Sequence, residues 1–139
     1  MSVDKEYVKK ITVEIKDTVH EILVITSRPF DDLSRSDLMA IRYYLIVLAE
    51  ALSSLALHIA RRALGKKPLT PIEAFRILRD HHLITSEECD DIIKLVRLRN
   101  LLVHRYWTID DKRIYDNIKK NFRELLGVVD KIARYVQVL

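Results

Sequence analysis

The side chains best suited to chemistry lie in one stretch of this sequence, residues 97–107. Arg99 precedes His104 by five positions, Asn100 follows the arginine, and Tyr106 comes two residues after the histidine. A histidine takes up and releases protons near neutral pH, and an arginine offers several N–H donors to phosphate oxygens. Together they could remove the proton from a ribose hydroxyl and stabilise extra negative charge on phosphorus. Neither step requires a metal, so the pattern suits cleavage of a phosphodiester in RNA.

An apolar stripe at helical spacing leads into this stretch. Its members are Cys89, Ile92, Ile93, Val96 and Val103. Arg99 and Asn100 fall where the same periodicity calls for an apolar residue. Burying a guanidinium or an amide without a partner costs several kcal/mol. We therefore expect one of two arrangements: other helices bind these groups as a structural clamp, or the groups line a polar site.

Helical geometry determines which of these side chains can meet. At about 100° per residue, Arg97, Asn100 and His104 lie within roughly 80° of one another. Arg99 and His104, by contrast, are separated by about 140° on an ideal helix. They can act on one target only if the end of the helix deforms or if a second subunit supplies one of them. The spacing is therefore a first indication of a site in a dimer.

The pattern Arg-x4-His-x-Tyr, here Arg99, His104 and Tyr106, resembles a motif of the HepT-like toxins. These belong to the HEPN superfamily of all-helical ribonuclease and nucleotide-associated domains, and the residue after the arginine is polar here, as in that family. Composition alone would produce the three-residue pattern roughly 0.02 times in a chain of this size. A second Arg-x4-His match, Arg76 and His81, lacks both the tyrosine and the polar residue, and we interpret it as accidental.

The resemblance implies an endoribonuclease, a hydrolase acting on RNA, whose site forms where two protomers of a homodimer meet. His104 would then be the general acid or base, and Arg99 would stabilise the phosphorane. Asn100 would orient the substrate phosphate or His104. The family also implies a toxin–antitoxin system, in which Tyr106 accepts AMP from a small nucleotidyltransferase antitoxin of the MntA kind. The residues alone leave another arrangement open, in which Tyr106 is a half-buried aromatic that packs on Trp107.

Further arginines could contact RNA phosphates. Arg97 and Arg105 flank the motif residues, and Arg61 and Arg62 cluster with two lysines near the end of an earlier predicted helix. Each could neutralise a phosphate of a bound strand. The alternative for the Arg61 cluster is neutralisation of the helix dipole. The net charge of +4 permits a nucleic-acid partner without requiring one.

Composition and periodicity predict a single all-α domain over residues 1–139. Apolar residues make up 49% and charged residues 32%, and only two glycines and three prolines occur, which favours long helices with short connections. We predict an up-and-down bundle of five helices, four long and one short, with a HEPN-like arrangement. The predicted helices cover residues 5–26, Ser34 or Ser36 to Gly65, Thr70 to His82, Thr85 through the motif, and about Thr108 to the C-terminus.

The helix that leads into the motif is apolar on two faces. Besides the first stripe, Leu95, Leu98 and Leu102 form a second one. A helix of this kind needs two neighbours to cover it. One is the core of the bundle, and in a dimer the other could be the partner subunit.

We expect a cytoplasmic protein without a cofactor, a metal, a membrane contact or a DNA partner. Residues 1–18 carry charges throughout, unlike a signal peptide. Glu50 and His58 interrupt the most apolar run, residues 43–60, which favours a buried helix. Cys89 is the only cysteine, which is typical of a reducing compartment. No pair of His or Cys residues has the spacing of a metal site.

The sequence leaves two other functions open. The bundle could be a non-enzymatic binding module that partners a nucleotidyltransferase and assists nucleotide or substrate binding. It could also be a purely structural dimer, in which Arg99 and Asn100 tie helices together and His104 ends a helix. RNA cleavage by the purified protein distinguishes the enzyme from both.

Overall fold

The chain folds into five α-helices joined by short connections. The computed structural model describes residues 3–139. Its helices are α1 (Lys5–Thr26), α2 (Arg35–Arg62), α3 (Pro71–Asp80), α4 (Ser86–His104) and α5 (Asp111–Gln137). Two short 3₁₀ turns, Phe30–Asp32 and Tyr106–Thr108, precede α2 and α5, and no β-strand occurs among the described residues. The predicted all-α bundle of four long helices and one short helix is confirmed.

The helix ends lie within a few residues of the predicted positions. Of the two candidate caps, Ser34 begins α2, and its hydroxyl accepts a hydrogen bond from the N–H three residues later (3.1 Å). The α2 helix ends at Arg62, and α3 ends at Asp80. Gly65 and His82, with φ of 65° and 61°, adopt the left-handed conformation just beyond these ends. That conformation is incompatible with a continuing helix, so both helices stop before the predicted residue.

The α4 helix, which carries the motif, begins at a capping box. The Thr85 hydroxyl accepts a hydrogen bond from the Glu88 N–H (3.1 Å), and the Glu88 carboxylate accepts one from the Thr85 N–H (2.8 Å). Two amides of the first turn are thereby satisfied. Lys131 of α5 also binds Glu88. Burial alone would raise the pKa of Glu88, but the bonds from Lys131 and Thr85 outweigh it, so this pKa lies below its ordinary value.

The α2 helix is the centre of the bundle. It packs against α1, α3 and α4, whereas α5 packs on α1. By length and composition α2 could cross a membrane, but half of its most apolar 18-residue window is buried inside the bundle, as in a core helix. Its fully buried side chains include Leu45, Leu48, Leu52, Leu55 and Ile59. The helix that carries the motif is therefore placed by its packing on α2.

A groove of about 570 Å³ separates α4 from α5. Leu98 of α4 lines it opposite Phe122 and Leu125 of α5, and all three side chains are only partly buried. Leu95 and Leu102, which belong to the same predicted stripe as Leu98, are buried. The second apolar face of α4 is thus shared between the core and an open groove.

The first apolar stripe of α4 is buried except at its last member. Cys89, Ile92, Ile93 and Val96 are buried as predicted, and burial raises the pKa of the Cys89 thiol, as expected of an unreactive core residue. Val103, however, is 40% exposed. The prediction for Val103 is wrong because periodicity identifies one face of a helix but not the point along it where the core ends.

His58 of α2 holds the start of α1. Its Nε2 accepts a hydrogen bond from the Asp4 N–H (3.1 Å), and its ring centroid lies 4.7 Å from that of Tyr7. Burial, with a further contribution from Arg62, lowers the pKa of His58, and the Asp4 carboxylate only partly opposes this. The fold therefore favours the neutral ring, whose nitrogen can accept the bond from Asp4.

Candidate functional site

The Arg99 guanidinium reaches from α4 to α2. Its Nη2 donates to Glu50 Oε1 (2.8 Å), and its Nη1 donates to Oδ1 of Asn100 (3.3 Å). The side chain of Arg99 is 29% exposed and that of Glu50 is 56% exposed, so the ion pair lies at the surface. The sequence allowed either a structural clamp or a polar site, and the structure combines them: Arg99 joins two helices and still borders solvent.

Arg99 and Asn100 line an open pocket of about 440 Å³. Its polar groups are the guanidinium, the amide, the Glu50 carboxylate and the hydroxyls of Ser53 and Ser54. The guanidinium can bind phosphate oxygens through its free N–H groups, whereas the carboxylate repels an anion. Among residues 3–139, no group of three or more His, Cys, Asp or Glu side chains is placed to hold a metal ion.

His104 is the last residue of α4 and lies in solvent. It forms no hydrogen bond or ion pair within the part of the chain that the structure describes. The Arg105 N–H still donates to the Leu101 carbonyl (2.8 Å), and only then does a φ of −140° at Arg105 turn the backbone out of the helix. The α4 helix is therefore regular up to His104, and the imidazole is free to meet a substrate.

Arg99 and His104 lie on different sides of α4. Because the helix is regular over these five residues, their directions differ by about 140°. Arg99 contacts α2, whereas His104 lines neither the Arg99 pocket nor the groove between α4 and α5. The structure does not bring the predicted catalytic pair together within one chain. Of the two arrangements that would let both residues act on one target, a deformed end of α4 is not observed.

The turn after α4 exposes two aromatic rings. Tyr106 and Trp107 are 60% and 68% exposed, and their rings meet edge to face with 5.4 Å between centroids. In the alternative arrangement, Tyr106 would be a half-buried aromatic that packs on Trp107. The packing on Trp107 is observed, but the ring is exposed rather than half-buried. A bond from the Thr108 N–H to the Arg105 carbonyl (2.9 Å) closes the turn. Tyr106 is accessible to a modifying enzyme.

Arg42 of α2 ties this turn to the bundle. Its Nη1 donates to the Tyr106 carbonyl (3.2 Å), while its Nε and Nη2 donate to the two carboxylate oxygens of Asp111 (2.8 and 2.9 Å). Only 17% of the Arg42 side chain and 21% of the Asp111 side chain are exposed. The hydrogen bonds to Asp111 raise the pKa of Arg42. The turn and the first residue of α5 are thereby joined to the central helix.

Sequence patterns did not identify Arg42, Glu50 or Asp111 as site residues. Arg42 and Asp111 are 69 positions apart in the sequence, and Glu50 and Arg99 are 49 apart, so no local spacing connects either pair. One signal was nevertheless present. Arg42 and Glu50 are the only Lys, Arg, Asp or Glu residues between positions 38 and 60, in the most apolar part of the chain. Charged residues in such a helix require partners.

The remaining candidate arginines form two groups. Arg97 and Arg105 are exposed beside the motif, where they could contact a bound strand. Arg61 and Arg62 end α2, about 17 Å along that helix from Glu50, the residue that binds Arg99. The Arg61 Nη2 donates to the Pro68 carbonyl (3.2 Å) and so supports the connection to α3. Only the first group lies next to the motif.

Several solved structures are similar to this chain in fold. The cytosolic protein YutE of Bacillus subtilis, of unknown function, matches with a TM-score of 0.82 at 21% identity, over 99% of this chain and 94% of its own. The tri-AMPylated HEPN toxin of Shewanella oneidensis, in complex with an MNT antitoxin, matches with a TM-score of 0.80 at 21% identity, over 91% and 96%. A toxin–antitoxin structure with AMP-PNP also matches with a TM-score of 0.80 at 21% identity, over 91% and 97%.

The sequence also matches a family model. The model describes the HepT-like ribonucleases and aligns with residues 10–132, which include the whole motif. No curated protein matches the sequence significantly. Because the match to the family model covers most of the chain, this protein belongs to the HepT-like ribonuclease family.

Proposed function

We propose that this protein is a metal-independent endoribonuclease toxin that acts as a cytoplasmic homodimer and is neutralised by a nucleotidyltransferase antitoxin. One observation carries the proposal: Arg99, Asn100, His104 and Tyr106 lie together at the C-terminal end of α4, all in contact with solvent, in a member of the HepT-like family. The first three residues would cleave RNA, and the tyrosine would accept AMP.

In the proposed reaction His104 acts first as a general base and then as a general acid. It removes the proton from a ribose 2′-hydroxyl, whose oxygen attacks the adjacent phosphorus. Arg99 donates hydrogen bonds to the non-bridging oxygens, where negative charge increases in the transition state. The bond from phosphorus to the 5′ oxygen then breaks, and the imidazolium supplies the proton that this leaving group needs. Asn100, which lies between the two on the helix surface, orients the phosphate or His104.

The directions of the two proposed catalytic side chains support the homodimer. A twofold axis near the end of α4 would bring His104 of one protomer next to the partner's Arg99. Leu101, Val103 and Trp107, in the same stretch, are 42%, 40% and 68% exposed. Exposed apolar side chains at this end of the molecule support the proposal that an interface covers it.

Arginines outside the catalytic pair would bind the RNA backbone. Arg97 and Arg105 lie beside the motif and would contact phosphates next to the cleaved bond. Arg61 and Arg62, at the end of α2, would reach only more distant nucleotides. Contacts of this kind would make RNA binding weaken as the salt concentration rises.

The antitoxin would act on Tyr106. The tyrosine oxygen attacks the α-phosphorus of ATP, pyrophosphate leaves, and the phenolic proton passes to water or to a base of the antitoxin. The added AMP carries a negative charge, which opposes binding of an RNA phosphate at Arg99, and it occupies space beside His104. Support comes from the similar structures, one of which is an AMPylated toxin bound to its antitoxin. AMP found by mass spectrometry on Tyr106 would support this step, whereas normal inhibition of Tyr106→Phe by the antitoxin would contradict it.

The His104→Ala variant tests the catalytic proposal. We expect cleavage of total cellular RNA to fall at least about a hundredfold, with unchanged helix content, because no bond within the described chain depends on this side chain. His81→Ala is the matched control, since His81 also follows an arginine, Arg76, by five residues and lies at a helix end. Undiminished cleavage by His104→Ala, or an equal loss in His81→Ala, would contradict the proposal.

One observation favours a second function, a non-enzymatic module that partners a nucleotidyltransferase. In the single chain, Glu50 occupies one edge of the Arg99 guanidinium, and its carboxylate would repel an RNA phosphate. Arg99 would then serve the structure of a polar cleft rather than catalysis. A purified dimer that binds the transferase tightly but cleaves no RNA would favour this second function.

A further inference from the structure

Arg42 binds the chain on both sides of the connection between Tyr106 and α5. Its Nη1 holds the Tyr106 carbonyl, and its Nε and Nη2 hold the Asp111 carboxylate. A planar guanidinium can occupy all three acceptors at once, whereas a lysine ammonium cannot reproduce this geometry. Because the pair is mostly shielded from water, it is stronger than an ordinary exposed ion pair.

Few other contacts hold residues 105–109, which we call the Tyr106 turn. Arg105, Trp107 and Thr108 are exposed, and Ile109 is the member of residues 105–109 that packs against the core. The other hydrogen bonds of the turn are local: the Arg105 N–H donates to the Leu101 carbonyl in the last turn of α4, and the rest link residues 105–109 with one another. Within the described chain, the bond from Arg42 is therefore the one that fixes the backbone of this turn to a distant element.

The body of α5 has its own anchors. The Tyr115 hydroxyl donates to the Arg28 carbonyl (2.6 Å), and the Lys119 ammonium donates to the Thr26 carbonyl (3.0 Å). The Lys119 bond joins α5 to the last residue of α1, and the Tyr115 bond joins it to the segment just after α1. Ile118, which lies between Tyr115 and Lys119 in sequence, is buried. Loss of the Arg42 bonds would therefore release the turn without detaching the helix.

We infer that Arg42 is a positioning residue that holds the Tyr106 turn in the conformation needed for AMP transfer to Tyr106. What the turn does rests on the proposed function, whereas the ordering of the turn by Arg42 follows from the contacts alone. A turn that samples other conformations presents the Tyr106 hydroxyl correctly for a smaller fraction of the time. The transfer step then slows, while the affinity of the antitoxin for ATP is unchanged.

Trp107 is the only tryptophan of the chain and lies in the turn, so its fluorescence reports the order of the turn. We expect Arg42→Lys to lower the anisotropy of Trp107 and to increase its quenching by acrylamide. With the antitoxin and ATP present, we expect kcat for AMP transfer to Tyr106 to fall about tenfold or more, with an unchanged KM for ATP. Asp111→Asn, which keeps an acceptor oxygen for Arg42, should show the same changes to a smaller extent.

Arg28→Lys is the matched control. Arg28 also forms a two-bond ion pair, with Asp37 (3.1 and 3.0 Å) at the start of α2, but its side chain is more exposed than that of Arg42 and makes no bond to the turn. This variant should change neither the Trp107 fluorescence nor the transfer rate. If Arg42→Lys lost its helical circular dichroism, Asp111→Asn would decide the question by the same two measurements.

The outcomes separate the inference from the proposed function. Unchanged Trp107 anisotropy in a folded Arg42→Lys protein would overturn the inference, as would a normal transfer rate despite a disordered turn. If the wild-type protein accepts no AMP, the proposed modification of Tyr106 fails. A fall in Trp107 anisotropy in the same experiment would still support the ordering of the turn by Arg42.

Discussion

Mixing two inactive variants tests whether the catalytic site is shared between protomers. Arg99→Ala removes the proposed phosphate ligand, and His104→Ala removes the proposed acid–base group, so neither homodimer contains an intact pair. In a heterodimer, however, Arg99 of one protomer can meet the partner's His104 in one of the two sites. The prediction depends on the angle of about 140° between the two side chains on the regular α4 helix.

The expected recovery follows from counting sites. Free exchange in an equal mixture makes about half of the dimers heterodimers, and each of these has one intact site of two. The mixture should therefore regain about a quarter of the wild-type cleavage rate. Loss of stability will not mask this result, because the ion pair of Arg99 with Glu50 is partly exposed. Removing such a pair lowers the free energy of unfolding by about 0.2–1 kcal/mol.

Subunit exchange and cleavage can be measured on the same sample. Native mass spectrometry of differently tagged variants gives the heterodimer fraction, and gel analysis of total cellular RNA gives the cleavage rate. A mixture of Arg76→Ala and His81→Ala, the second pair with the same spacing, should remain fully active throughout. Heterodimers that form but cleave no RNA would refute the shared site and the geometric reasoning behind it.

Two further predictions concern Glu50 and His58. In Glu50→Gln a neutral amide replaces a carboxylate 2.8 Å from Arg99. If an RNA phosphate lies about 6 Å from the Glu50 carboxylate in a water-like medium, the substitution removes about 0.7 kcal/mol of repulsion. RNA binding in a filter assay should therefore tighten about threefold. Weaker binding would show that Glu50 orients Arg99 instead. Burial lowers the pKa of His58 below its ordinary value of 6.5. At pH values below 6.5 the unfolded chain therefore binds more protons than the folded one, and the free energy of unfolding falls as the pH drops. Urea denaturation at about pH 7 and about pH 5 should show a larger loss in the wild type than in His58→Gln, and equal losses would argue against a role for His58.

The starts of the helices could be predicted because their chemistry is local. Ser34 and Thr85 cap α2 and α4 by binding amides only three residues further on. Both ends of such a bond lie in one short stretch, so a sequence pattern contains the whole interaction. That the motif follows the apolar stripe of the helix started by Thr85 was predictable for a similar reason, because it depends on helical periodicity. The end of this helix at His104, which leaves Tyr106 in a separate turn, was not predicted.

The contacts that hold the motif could not be predicted in this way. Arg99 binds Glu50 from 49 positions away, and Arg42 binds Asp111 from 69 positions away. Periodicity placed Arg99 on the face of α4 that meets the bundle, but it could not locate the edge of the core. For the same reason it wrongly placed Val103, which is exposed, on the buried stripe. Which side chains share that edge depends on how the helices pack, and this is a property of the whole bundle.

The central helix holds the motif at two points. Glu50 binds Arg99, and about 12 Å away along α2 Arg42 binds the Tyr106 turn. Charged side chains in a core helix destabilise the fold unless they are paired. Glu50 and Arg42 are not paired with each other but with groups at the proposed site. Arg99 and the turn are thus fixed relative to one another by a rigid element. The fold of one chain thus keeps Arg99 and His104 apart, which supports the proposal that RNA cleavage by this pair uses residues of two protomers.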